Sequence, residues 1–170
     1  RSRLCHLTHM KFDDRTEKNL ATLDPKIQPL FRDFLEYAKD IADDFLDCDV
    51  KLISGHRTWK EQDALYAQGR TKKGPKVTNA KGGQSNHNFG IAGDIGIFRR
   101  GDYLDDNAAK ADKAFCERIY RHLAKKASEF GLEAGYNWNS PDPPHFEVST
   151  GLSLAQKRAR YEKYGTLFPS

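Results

Sequence analysis

Apolar residues recur at steps of three and four between residues 25 and 46, the spacing of one face of an α-helix. Pro29 falls in the first turns, where a missing N–H costs little. The pattern predicts a long amphipathic scaffold helix. Its apolar positions are Ile27, Leu30, Phe31, Phe34, Leu35, Ala38, Ile41, Ala42 and Phe45.

Two more helices are bounded by recognisable end signals. Thr58-x-x-Glu61 reads as a capping box, and the helix that it opens should end near Gly69. A longer helix is predicted over residues 108–130, with Gly131 as its stop. Its apolar stripe is Ala111, Phe115, Ile119, Leu123 and Ala127.

Weaker helical patterns lie towards the two ends of the chain. Residues 12–23 are polar with a weak period, and Leu20 and Leu23 are expected to dock onto the body. Ser153 is placed to cap a last helix over residues 154–164, which is basic and expected to be peripheral.

Four short segments have the alternation or apolar content of strands, namely residues 49–54, 95–98, 132–138 and 145–148. Residues 71–83 are rich in Gly, Lys and Pro and should form a loop at the mouth of a site. The mixture indicates an α+β domain but does not name a fold.

Candidate chemistry is concentrated between residues 85 and 94. His87 and Asp94 are good ligands for a borderline metal such as zinc, and the small residues between them let the backbone turn tightly. A catalytic zinc site usually has three protein ligands, and His145 is the best third candidate.

The segment before His145 supplies a carboxylate. If Asp142-Pro143-Pro144-His145 is an extended polyproline segment, residues three apart share a face, so Asp142 and His145 can point to one centre. A general base could be Asp142 or Glu147, and Glu147 would share a strand face with His145. Taken alone, Arg57 would be a surface arginine at a strand-to-helix junction.

Together these motifs resemble the zinc peptidase family of D-alanyl-D-alanine carboxypeptidases and L-alanyl-D-glutamate endopeptidases. That family includes vancomycin-resistance carboxypeptidases and phage endolysins, and it shares its fold with the hedgehog signalling domain. The resemblance spans about residues 20–148. It rests on Ser85-x-His87-x-x-Gly90-x-Ala92-x-Asp94, Asp142-x-x-His145, Ser54-Gly55-His56-Arg57-Thr58, the run from Glu61 to Arg70, Val77-Thr78-Asn79-Ala80 and Gly82-Gly83.

The resemblance implies a hedgehog/DD-peptidase-like α+β fold: a small, mainly antiparallel sheet flanked by helices, with one Zn²⁺ in a cleft. It implies His87, Asp94 and His145 as metal ligands, and Asp142 and Arg57 as catalytic residues. Ser85, Gln62 and Trp138 are expected to contact the substrate. Related enzymes often carry Glu-Trp-Gly-Gly where this chain has Gly135-Tyr136-Asn137-Trp138-Asn139, so the pocket wall should differ.

The implied function is hydrolysis of an amide bond in the peptidoglycan stem peptide. The stretches Tyr66-Ala67-Gln68-Gly69-Arg70 and Thr78-Asn79-Ala80-x-Gly82-Gly83 look most like those of L-alanyl-D-glutamate endopeptidases, with a D-alanyl-D-alanine carboxypeptidase as the alternative. A zinc-bearing wall-binding module without turnover is the alternative of another class. We expect a monomer of the bacterial cell envelope or extracellular space, or a phage lysin released from the cytoplasm.

Length and composition limit the class of protein but do not identify it. The 170 residues fit one domain, predicted over residues 12–170, with a flexible segment at 1–11. The net charge of +4 favours an anionic partner such as cell wall or nucleic acid, but we find no nucleic-acid motif. No apolar run predicts membrane insertion, and residues 1–10 lack the apolar region of a signal peptide.

The three cysteines cannot all pair within one chain. Cys116 adjoins an apolar helical stripe and is interpreted as a buried, inert thiol. Cys5, His6 and His9 form a possible metal cluster, although a mobile terminus is the favoured interpretation.

Overall fold

The computed structural model describes residues 11–170, and within them one antiparallel sheet of five strands organises the fold. The order across the sheet is β1-β2-β5-β4, and β3 pairs with the far end of β2. The strands are β1 (Cys48–Ser54), β2 (Ala92–Arg99), β3 (Asp102–Tyr103), β4 (Glu133–Ala134) and β5 (His145–Glu147).

Helices surround this sheet. The α-helices of the described chain are α1 (Asp14–Thr22), α2 (Gln28–Asp43), α3 (Trp59–Ala67), α4 (Lys110–Lys126) and α5 (Leu154–Tyr164). Short 3₁₀ helices cover Asn86–Phe89, Ala127–Phe130 and Gly135–Asn137. The predicted α+β class, a small antiparallel sheet flanked by helices, is therefore confirmed.

The two faces of the sheet have different roles because side chains alternate along a strand. On β1 and β2, Leu52 pairs with Ile95, and both are fully buried in the hydrophobic core with Phe31 of α2. On β5, Phe146 is fully buried in this core, with its ring 4.9 Å from that of Phe34. The alternate positions of β2 and β5 are therefore left to build a site on the other face.

Most element ends follow the sequence signals. Thr58 forms the predicted capping box with Glu61, and Ser153 caps α5. Gly131 takes a left-handed conformation after the Ala127–Phe130 turn, which ends the helix predicted over residues 108–130. The predicted strand over residues 132–138 is wrong in length, because β4 holds only two residues and Gly135 then begins a 3₁₀ helix.

No helix in residues 11–170 combines the length and apolar character needed to cross a membrane. The possible cluster of Cys5, His6 and His9 lies outside the described residues. Burial raises the pKa of the Cys116 thiol to about 11, which agrees with an inert thiol.

Candidate active site

His87, Asp94 and His145 meet at one point of the structure. One potential ligand atom from each lies within 4.8 Å of the other two. Asp94 Oδ1 is 3.2 Å from His87 Nε2 and 3.4 Å from His145 Nδ1. Both histidines are buried, so the three groups form an organised cluster rather than a surface coincidence.

Strand pairing places two of these residues together. Asp94 on β2 and His145 on β5 are direct cross-strand partners, so their side chains emerge side by side from the same face. The next pair, Gly93 and Phe146, faces the core. The period of two along each strand thus separates the polar cluster from the apolar interior.

A capped 3₁₀ turn brings His87 to the same point. The Ser85 side chain accepts from the His87 N–H at 3.3 Å, and Asn88 completes the capping box. Gly90 ends the turn at φ 70°, and a Cβ there would lie 2.9 Å from Asp24 N. Glycine is required at position 90 for both reasons.

Each histidine is also held by its second ring nitrogen. His87 Nδ1 lies 2.7 Å from the Gly55 carbonyl oxygen, and His145 Nε2 lies 2.7 Å from Glu147 Oε2. When these nitrogens carry the protons, His87 Nε2 and His145 Nδ1 are left as acceptors beside Asp94. Metal-ligating histidines are commonly held in this way. The donor set therefore fits a divalent transition metal.

The electrostatics of the cluster also favour a cation. Burial alone would raise the pKa of Asp94, but His87, His145 and Arg57 hold it far below its usual range. Burial alone would lower the pKa of His145, yet its hydrogen bonds to Asp94 and Glu147 raise it to about 9. The carboxylates thus retain a proton on His145, which a bound metal would replace.

Asp142 lies at the rim of the same cleft, but not through an extended segment. His145 N–H donates to the Asp142 carbonyl oxygen at 3.1 Å, which makes residues 142–145 a turn. The Pro144 carbonyl accepts from Ile95 N–H at 2.8 Å and fixes this turn against β2. The interpretation of this segment as polyproline is therefore wrong. Desolvation, with Asp94 nearby, raises the pKa of Asp142 although its side chain reaches solvent.

Arg57 is part of the cluster rather than a plain surface residue. Its Nη2 donates to Asp94 Oδ2 at 2.6 Å, and its Nε donates to Ser54 Oγ at 3.2 Å. The bulge between Leu52 and Ser54 at the end of β1 precedes this contact. The guanidinium also lines the cleft.

Gln62 occupies a different place from the one expected of a substrate contact. Its side chain is fully buried and accepts from Arg57 Nη1 at 3.2 Å. Its amide nitrogen donates to the Ala80 carbonyl at 2.9 Å and to Thr78 Oγ1 at 3.3 Å. Gln62 thus joins the arginine to the loop at the cleft mouth and does not line the cleft.

The cleft itself is open and has a volume of about 420 Å³. Ser85 and Trp138 both line it, together with Val77 and Thr78 of the predicted mouth loop. Trp138 is 40% exposed, and its ring lies 4.8 Å from that of His145, so an aromatic face is available beside the cluster.

Sequence reasoning missed Tyr103 as a cleft residue. It sits on β3, after a hairpin turn in which Arg100 and Gly101 both have positive φ. Gly96 leaves room for the ring, since a Cβ there would lie 2.9 Å from Tyr103 Cε2. The Arg-Gly turn was the available signal, but it does not show where the following side chain points.

An open cleft beside a buried His-Asp-His cluster, on an antiparallel α+β fold, has the arrangement of a candidate metal-site domain. The family model of VanY D-alanyl-D-alanine carboxypeptidases matches residues 21–147. This chain therefore belongs to the VanY family.

A bacterial relative matches part of this chain in sequence. The chain is 37% identical over 108 residues to the peptidoglycan L-alanyl-D-glutamate endopeptidase CwlK of Bacillus subtilis (strain 168). The match covers 59% of this chain and 60% of CwlK. The chain thus matches less than two thirds of the relative's length.

Solved structures support the fold. The L-Ala D-Glu endopeptidase ChiX of Serratia marcescens matches with a TM-score of 0.50 and 21% identity, covering 86% of this chain and 96% of ChiX. A mutant of the vancomycin resistance D,D-pentapeptidase VanY from a VanB-type cassette, in complex with Zn(II), also matches with a TM-score of 0.50. It shows 20% identity, covering 85% of this chain and 80% of VanY.

Proposed function

We propose that this protein is a zinc-dependent peptidoglycan peptidase that hydrolyses an amide bond of the wall stem peptide. The observation that carries the proposal is the convergence of His87, Asp94 and His145 at the floor of an open cleft that Asp142 also lines. Family membership supports the reaction class.

His87, Asp94 and His145 would hold a single Zn²⁺, because two imidazoles and one carboxylate are a usual catalytic ligand set. When bound, the ion supplies Lewis acidity, which makes a water molecule more acidic and polarises a carbonyl. The Zn(II) complex of the VanY structure supports this choice of metal.

Asp142 is the proposed general base. Asp142 lines the cleft, and its raised pKa makes the ionised form a stronger proton acceptor. In the proposed cycle Asp142 takes a proton from the attacking water and gives it to the leaving amine. The rival, Glu147, is engaged at 2.7 Å by His145 and is better suited to hold that imidazole.

The remaining cleft residues would bind and orient the substrate. Arg57 keeps Asp94 in place, and its other N–H groups can donate to the carbonyl oxygen that becomes negative during attack. Ser85 and Trp138 line the cleft and are proposed to contact the peptide. Gln62 is proposed to position Arg57 rather than to touch the substrate.

We favour the bond between L-alanine and D-glutamate. The 37% identity to CwlK supports this choice, and the description of the matching family, D-alanyl-D-alanine carboxypeptidase, supports the alternative. The proposed setting is a monomer acting at the bacterial cell wall, either as an envelope or extracellular enzyme or as a phage lysin.

Mass spectrometry of purified muropeptides incubated with the protein tests the proposal. We expect a released peptide that begins with D-glutamate and a sugar fragment that retains L-alanine. Loss of one terminal D-alanine would instead identify a carboxypeptidase. Intact muropeptides, with zinc bound to the protein, would contradict enzymatic activity on these substrates and favour a wall-binding module.

A further inference from the structure

Helix α5 lies on the surface, yet it contacts the loop that carries His87. None of its residues is fully buried, as expected for a peripheral helix. Its two half-buried basic residues point to the loop: Lys157 Nζ donates to Asn86 Oδ1 at 2.8 Å, and Arg158 Nε donates to the Gly83 carbonyl at 2.7 Å. These contacts join residues 71 and 75 positions apart in sequence.

Both ends of this helix are fixed to the body of the domain. Before it, Val148 N–H donates to the Ile91 carbonyl at 3.0 Å. After it, Thr166 donates its hydroxyl to the Asp24 carboxylate, and Leu167 is 1% exposed in the core. Because α5 is fixed on both sides, it can restrain the loop instead of moving with it.

A third contact extends the same interface. The Tyr161 hydroxyl lies 3.2 Å from His56 Nε2, next in sequence to Arg57. The Tyr161 ring also packs edge-on against Phe89, at 5.6 Å between centroids, at the other end of the 3₁₀ turn. The helix thus contacts both chain segments that approach the cluster from this side.

Asn86 connects the helix to the candidate metal site. It directly precedes His87 in the 3₁₀ turn, and it lines the same cleft as Glu147. Glu147 in turn holds His145 Nε2 at 2.7 Å. A lysine that fixes the Asn86 amide therefore restrains the turn that carries His87, beside the pair of Glu147 and His145.

The Arg158 contact satisfies a buried backbone carbonyl of the same loop. Gly83 is buried, and a buried carbonyl without a partner costs free energy. The guanidinium satisfies this carbonyl with a charge-assisted hydrogen bond, which is stronger than a neutral one. Gly83 N–H donates to Asn88 Oδ1 at 3.0 Å, so the contact continues into the turn that holds His87.

We propose that α5 is a brace for the metal site, in which Lys157 and Arg158 are positioning residues that keep His87 aimed at the centre that it shares with Asp94 and His145. This proposal rests on the proposed zinc site. Neither residue lines the cleft, so their effect on the metal would pass through Asn86 and the 83–88 loop.

Zinc affinity, measured by competition with a chromogenic chelator, tests the brace without any wall substrate. Lys157→Met keeps the aliphatic stem and removes the donor, and it should weaken zinc binding by about tenfold, the lower end of typical outer-shell effects. Lys157→Arg should restore most of the affinity. Lys163→Met is the matched control, because Lys163 lies on the same helix with its ammonium over the Tyr164 ring.

The melting temperature of the metal-free protein separates positioning from stability. We expect Lys157→Met and Lys163→Met to melt alike without zinc and to differ only in zinc affinity. The d–d absorption of the Co²⁺-substituted protein should also change for Lys157→Met and not for the control. Equal zinc affinity in both variants would overturn the brace while leaving the proposed function intact. A wild-type protein that binds no zinc would overturn both.

Discussion

The Glu147 carboxylate lies 2.7 Å from His145 Nε2, while the other ring nitrogen of His145 lies 3.4 Å from Asp94. This arrangement gives one imidazole two carboxylate neighbours with different roles. One belongs to the candidate ligand set, and the other fixes the ring from behind. It also separates the roles of Glu147 and Asp142, which are the two carboxylates that the sequence offers as the general base.

Glu147→Gln should therefore weaken metal binding. Removing the carboxylate that orients His145 is expected to lower zinc affinity by roughly 10- to 100-fold. Activity should recover substantially when zinc is added in excess. Glu133→Gln is a suitable control, because Glu133 is the exposed cross-strand partner of Glu147 on β4. Zinc affinity equal to that of the control would contradict the orienting role.

Asp142→Asn should show the opposite pattern. The variant should keep its zinc and lose about 10²- to 10⁴-fold in turnover, the usual contribution of a general base. Metal content and muropeptide hydrolysis measured on one preparation give both quantities. Asp106→Asn, which changes an exposed carboxylate in the loop after β3, should hydrolyse normally. If Asp142→Asn turns over at the wild-type rate, the base lies elsewhere.

Gly135→Ala should disturb the cleft without replacing a functional side chain. A Cβ at Gly135 would lie 2.6 Å from the Asp142 carbonyl oxygen and 3.0 Å from His145 Cβ. Displacement of this turn should lower kcat by roughly 10- to 100-fold, as small misplacements do. The free energy of unfolding should fall by about 1–3 kcal/mol.

An exposed neighbour in the same segment provides the comparison for Gly135→Ala. Asn139→Ala should leave both kcat and stability close to the wild type. A fully active Gly135→Ala variant would show that the turn yields without moving Asp142.

The convergence of the three candidate ligands could be predicted from sequence, but their surroundings could not. His87, Asp94 and His145 carry recognisable spacing, and their meeting is set by the β2–β5 pairing. The placement of Gln62 inside the protein depends on three partners from two separate segments, and no local pattern encodes them. The contacts of Lys157 with Asn86 are equally non-local, so α5 was expected only to be peripheral.

The helices and the long strands were predictable for a different reason. Their apolar spacing and end signals are local, as with the Thr58 capping box and the Gly131 stop. The turn at residues 142–145 was not, because a hydrogen bond from β2 to Pro144 helps to select it over an extended segment.

Away from the site, Asp13→Ala should destabilise the fold in a pH-dependent way. Asp13 caps α1 by accepting from Thr16 N–H at 2.9 Å, and its other oxygen lies 2.9 Å from Lys51 Nζ. We expect a loss of about 1 kcal/mol near neutral pH, mostly from the cap, since exposed ion pairs contribute little.

The pH dependence of this loss follows from the pKa of Asp13. Burial alone would raise it, but the hydrogen bonds to Thr16 and the Lys51 ammonium lower it from 3.8 to about 2. The stabilisation should be complete above about pH 4 and disappear as the pH falls through 2. Urea unfolding of wild type and variant without metal should give curves that converge in acid. A pH-independent difference would exclude this linkage.

The most direct test of the central claim is a zinc titration of hydrolysis with purified muropeptides and metal-free protein. We predict no cleavage after chelation and a recovery that rises with added zinc until one equivalent is bound. Variants that replace His87 or His145 with alanine should not recover at that ratio. Cleavage by the fully chelated protein at the wild-type rate would contradict the account.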